Sequence, residues 1–121
     1  TAEYVLNWNK LTSRRIDLNL NLSLDTPSEK LDKITKQIEF ALQNDKDVLK
    51  DTVEVHVSEI STNGINVLIF LYEKVTDYYK FLDVKQRLIC TILAVLEKEN
   101  VELAYPGQSI VIKQQEKNVI V

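Results

Sequence analysis

The side chains that most often do chemistry are sparse in this 121-residue sequence and poorly spaced for it. His56 is the only histidine, so neither a two-histidine metal site nor a histidine relay can be assembled; it reads as a surface residue on a strand face. Cys90 stands in the apolar stretch Leu88 to Leu96 with only Lys85 and Arg87 as nearby bases, and is expected to be a buried, inert thiol. As the single cysteine it cannot form an intrachain disulfide, which fits a reducing compartment. Ser61 has no glycine-flanked elbow, and no phosphate loop or dinucleotide fingerprint occurs. Asp45, Asp47 and Asp51 loosely resemble a cation-binding loop but lack the central glycine and terminal glutamate of a calcium hand, so a solvated loop is expected. The remaining carboxylates, Asp17, Asp25, Asp32 and Glu54, are scattered. Arg14 and Arg15 could pair with carboxylates across an interface or simply border a strand, the structural role being preferred. No residue is assigned a catalytic, cofactor-binding or metal-binding role, and an enzyme is not expected.

The bulk composition agrees. Hydrophobic residues make up 45% and charged residues 27% of the chain, ordinary for a globular domain and unlike a disordered one. One domain fits this length, and a chain of this size buries roughly two-thirds of its unfolded surface. The net charge of −3 comes from 15 basic and 18 acidic residues mixed along the sequence, so no basic field exists to hold a nucleic-acid backbone. No apolar run reaches the roughly 18 residues that a membrane span needs, and no signal peptide is visible. Because it starts at Thr1 rather than a methionine, the chain is expected to be a fragment of a longer protein.

The elements that must position any site begin with Arg14 to Leu31, RRIDLNLNLSLDTPSEKL. Ile16, Leu18, Leu20, Leu22 and Leu24 alternate with polar residues, which puts them on one face of a half-buried strand. Thr26 is expected to cap the following helix, with Pro27 at its first position and Glu29 reaching back to the Thr26 amide. That helix, Pro27 to about Asn44, carries an apolar stripe of Leu31, Ile34, Ile38, Ala41 and Leu42. The connection from Asn44 through Val48 and Leu49 is expected to be exposed. Val53, Val55 and Val57 share one face of a second strand, which Ser61-Thr62-Asn63-Gly64 turns into a third, Ile65 to Tyr72. Asp77 to Asn100 is the longest helical pattern. Its stripe of Phe81, Val84, Leu88, Ile92, Val95 and Leu96 is widened by Ile89 and Leu93, which implies deep burial or a second contact surface. A short strand, Val101 to Ala104, and an alternating segment, Ser109 to Lys113, follow. The segment before Ser13 is a lead-in in which Trp8 is expected to be a packing anchor, and the apolar end Val119-Ile120-Val121 needs a partner or frays.

This order predicts an α+β fold, the ferredoxin-like split βαββαβ sandwich, with two helices on one sheet face and the first and third strands central. The boundaries are 1–13 for the end of a preceding β domain and linker, 14–113 for the α/β domain and 114–121 for a tail. The open sheet face is semi-apolar at Leu68, Phe70 and Val111, which implies a covered surface, most simply a subunit contact. Asp17, Asn19 and Glu54 on that face argue against RNA binding.

Asn7-Trp8-Asn9, Arg14-Arg15-Ile16, Asp25-Thr26-Pro27 with Glu29-Lys30, Thr76-Asp77 with Phe81 and Leu82, and Ala104-Tyr105-Pro106 together resemble the cytoplasmic carboxy-terminal region of the small-conductance mechanosensitive channel (MscS) family. The match runs from about Val5 to Lys113, with Asn9 departing from the usual Asn-Trp-Ser. The resemblance implies a bacterial inner-membrane ion channel, of which this chain would be a cytoplasmic vestibule domain without the membrane helices. It further implies a homo-oligomer, heptameric in the full-length channel, whose side openings pass ions and small solutes towards a tension-gated pore serving osmotic stress. Ile110 to Ile112 would lead into a strand closing the ring's end. The alternative is a ferredoxin-like regulatory or dimerisation domain of another membrane transporter; the cation-efflux version would call for more histidines than one.

Overall fold

The computed structural model describes residues 13–75 and 77–104. It contains strand β1 (Arg14–Leu22), helix α1 (Ser28–Gln43), a single 3-10 turn (Lys50–Thr52), strands β2 (Glu54–Ser61) and β3 (Gly64–Glu73), and helix α2 (Tyr78–Lys98). The strands form one antiparallel sheet in the order β1-β3-β2. Among the described residues this is a small α+β domain of three antiparallel strands and two helices. Trp8, Val111, the Ser109 to Lys113 segment and the tail lie outside the described residues.

Period-2 alternation explains β3. Ile65, Val67, Ile69, Leu71 and Glu73 are buried while the residues between them are only half-covered, so one face of the central strand lies on the core. Ile34, Ile38 and Leu42 of α1 and Val84, Leu88, Ile92 and Leu96 of α2 complete that core, as their 3.6-residue spacing requires. Fully burying side chains of this size contributes about 1.5–3 kcal/mol each. The leucine face of β1 is graded: Ile16 and Leu22 are buried, Leu18 and Leu20 are partly covered, and Leu24 lies past the strand end and is 47% exposed.

The expected helix cap is absent. Thr26 instead donates its hydroxyl to the Ser23 carbonyl at 2.7 Å, closing a turn, and Pro27 stands at the N-cap with extended backbone and no side-chain cap. The hydroxyl is thereby committed to the turn and not to the helix. α2 is capped from the side chain: Asp77 accepts from the Tyr79 and Lys80 amides at 2.8 and 3.4 Å. It ends at Asn100, whose φ of 57° is the left-handed conformation of a helix C-terminus, with the Val101 amide on the Leu96 carbonyl.

The connection after α1 is not a free loop. Val48 is buried and bridges to Glu73, Leu49 N–H bonds to the Tyr72 carbonyl, and Lys74 N–H to that of Asp47. Val53, just before β2, and Val55 within it are buried, whereas Val57 is 46% exposed and a bulge between Val57 and Glu59 breaks the register after it. Val101 to Ala104 forms no full strand in the described residues. It makes one antiparallel bridge, Leu103 to Leu22, flanked by Ser23 N–H to Glu102 and Ala104 N–H to Asn21.

Candidate functional surface

The candidate side chains are dispersed over the domain. His56 is exposed on β2, its Nε2 2.7 Å from Glu54 Oε1, as a surface strand residue should be. Cys90 is exposed on α2, not buried as expected. The apolar residues around it belong to two stripes of the helix, and Cys90 falls outside both. Ser61 ends β2, with its Oγ taking the Asn63 amide.

The acidic connection is the largest departure. Asp51 is exposed as expected, but Asp45 and Asp47 are only partly exposed and ion-paired: the Arg87 guanidinium of α2 donates to Asp45 through Nε at 2.8 Å and Nη2 at 2.7 Å, and to Asp47 through Nη2 at 2.7 Å. Arginine suits this place because its planar fork serves two acceptors at once. The guanidinium stands where a cation would have to bind, and the described residues hold no metal-compatible cluster of three or more such side chains. No spacing in the sequence signals this clasp, since Arg87 lies 42 and 40 residues from its partners. The Arg87 hydrogen bonds hold the Asp45 carboxyl below the usual carboxylate range. Asp45 therefore stabilises the fold above its ordinary pKa, and that contribution is lost as pH falls through its lower folded value. Arg87→Ala is expected to cost about 1–2 kcal/mol at pH 7, discounted for the half-exposed arginine. Arg87→Lys should recover little, because an ammonium cannot replace the fork. Thermal melts from pH 7 to pH 2 check both: the wild type should converge on Arg87→Ala in acid.

A second clasp joins the helices at their other ends, where Lys30 and Lys33 of α1 lie 3.5 and 3.3 Å from the buried Glu99 carboxylate. Arg14 and Arg15 take structural posts. Arg15 bonds Asp17 and lies 4.6 Å above the Phe70 ring on the open sheet face, while Arg14 lies 5.6 and 5.4 Å over Tyr78 and Phe81.

Two apolar surfaces stand out among the described residues. On α2, Leu82, Ile89 and Leu93 recur along one side of the helix, with Tyr78 and Tyr79 at its start; all five are exposed. The widened stripe is therefore a second surface rather than deeper core. On the open sheet face, Leu68, Phe70 and Tyr72 are half-buried. No helix of the described residues is long and apolar enough to cross a membrane.

The described strands and helices thus define a small α+β module. Residues 16–103 match the family described as "Mechanosensitive ion channel MscS, C-terminal". The chain belongs to the MscS family, whose members are membrane channels and not enzymes. It is 27% identical over 118 residues to YhdY, an uncharacterized MscS family protein of Bacillus subtilis, covering 98% of this chain and 32% of that protein. The chain thus spans about a third of the length of the curated relatives it matches. Its fold is also that of part of Helicobacter pylori MscS in the closed state, with a TM-score of 0.65 and 18% identity over 79% of this chain and 36% of that one. Arabidopsis thaliana MSL1 shares it with a TM-score of 0.71 and 16% identity, over 78% and 34% of the two chains.

Proposed function

We propose that this chain is the cytoplasmic vestibule domain of a bacterial inner-membrane channel, supporting oligomeric assembly and filtering solutes beneath a tension-gated pore. The observation that carries the reading is the family match over residues 16–103. No observation favours the rival reading, a regulatory or dimerisation domain of another transporter. Tension favours an expanded pore because the open state occupies more bilayer area, and that difference is what shifts the population. This domain contributes downstream, by holding subunits in a ring, a heptamer in the full-length protein, and by presenting charged surfaces to ions and small solutes before they reach the pore. It carries no catalytic, cofactor or metal residue in this role and has no nucleic-acid partner.

The exposed stripe of Leu82, Ile89 and Leu93 and the semi-apolar open sheet face support subunit contacts. The antiparallel Leu22–Leu103 bridge supports completion of the ferredoxin-like arrangement by a fourth strand beside β1, within a domain of residues 14–113. Residues 1–13 then end the preceding β domain, and 114–121 form a tail. The test is a recording from the full-length protein reconstituted in liposomes. Suction is expected to evoke stepwise conductance that disappears when residues 14–113 are deleted. Transport that ignores tension would sink the proposal.

A further inference from the structure

Glu73 is the one side chain of the described core whose burial its role in the fold does not explain. It ends β3 with none of its surface exposed, on the face carrying Leu71 and Ile69. Its Oε2 accepts the Val75 N–H, but Oε1 has no hydrogen-bond partner. A buried oxygen left in this state ordinarily destabilises a fold, and more so when it is charged. Three segments converge on it. Arg14 of β1 is its cross-strand partner, Val48 of the connection bridges to it, and α2 begins five residues later.

The groups acting on it are few. Arg14 favours its ionisation both through its charge and through a hydrogen bond from its backbone amide to the carboxyl, Asp47 opposes it, and Asp77 of the α2 cap is committed to the Tyr79 and Lys80 amides. Burial outweighs the attraction of Arg14 and pushes the Glu73 carboxyl above its ordinary value. The Arg14 guanidinium meanwhile packs over Tyr78 and Phe81, two rings of the first turn of α2 that stack on each other 6.1 Å apart.

We propose that Glu73 is a proton-operated latch for the start of α2: neutral, it leaves Arg14 on the Tyr78 and Phe81 rings, and ionised, it draws the guanidinium to Oε1 and frees the helix's first turn. The proton passes to solvent and no covalent bond changes. The sign is fixed by linkage. Between the ordinary carboxylate value and the higher folded one, the folded chain binds more protons than the unfolded chain, so stability falls as pH rises. This slope is opposite to that of Asp45.

The test uses the 121-residue chain in two ways. In a carbon-detected NMR titration, the Glu73 carboxyl is expected to titrate above the ordinary carboxylate range, with the Arg14 side-chain and Tyr78 ring resonances moving at the same midpoint. In thermal melts, the wild type should lose several degrees relative to Glu73→Gln between the acid and alkaline ends of that titration. An ordinary Glu73 midpoint, or Arg14 and Tyr78 signals that do not follow it, overturns the latch. The wild-type titration decides the matter even if Glu73→Gln does not fold.

Discussion

Leu22→Asp is expected to abolish folding, whereas Leu24→Asp should be nearly silent. Both leucines lie on the same alternating stripe, two residues apart, but Leu22 has no exposed surface and Leu24 is 47% exposed beyond the end of the strand. Leu22 pairs with Ile65 on one side and bridges Leu103 on the other, so an aspartate there would place an unpaired carboxylate among apolar groups. Desolvating such a charge costs several kcal/mol, comparable with the ~5–15 kcal/mol that holds a domain together. At the exposed position the change should stay within ~0.5 kcal/mol. Urea denaturation followed by far-UV circular dichroism checks the pair. Equal effects from the two substitutions would refute the depth gradient along β1.

Gly64→Ala is the second large effect, at least ~2 kcal/mol, from two causes acting together. The residue has a φ of 140°, which side-chain-bearing residues rarely adopt. A Cβ built there would also stand 2.7 Å from the Leu22 carbonyl oxygen and 2.9 Å from the Ala104 Cβ. The first contact is backbone and cannot swing aside. Because the crowding comes from β1 and from the segment after α2, the damage should spread beyond the hairpin. Amide exchange should show lost protection at Ser23 and Ala104 as well as at Ile65. Loss restricted to residues 61–66 would mean that the hairpin alone was strained.

Much of this arrangement is legible in the residues themselves. The alternation in β1 and β3 and the helical stripes of α1 and α2 require apolar faces, and the buried residues are those faces. Asn63-Gly64 marks the hairpin, and Asn100 marks the end of α2, because both act through local backbone conformation. The errors arise where a side chain had more than one partner in reach. Thr26 could serve a helix amide or the Ser23 carbonyl, and spacing alone cannot rank them. The connection read as solvated because its partner, Arg87, is far away in sequence. Cys90 illustrates a further limit: an apolar neighbourhood in the sequence is not one in space when a helix turns through 100° per residue. The burial of Glu73 had no signal at all, since alternation predicts which face a residue takes and not whether a carboxylate there will be covered.

The Arg87 clasp also bears on time as well as on stability. It closes a loop of 42 residues that contains the whole β2–β3 hairpin, a costly closure in chain entropy, so it is expected to form late, once α2 has docked. Interactions made that late are absent from the transition state and act on the rate of escape from the folded state, leaving the rate of reaching it almost unchanged. The two aspartates and the arginine are therefore expected to act as a lock on the finished domain, with Arg87→Ala speeding unfolding and leaving the folding rate almost unchanged.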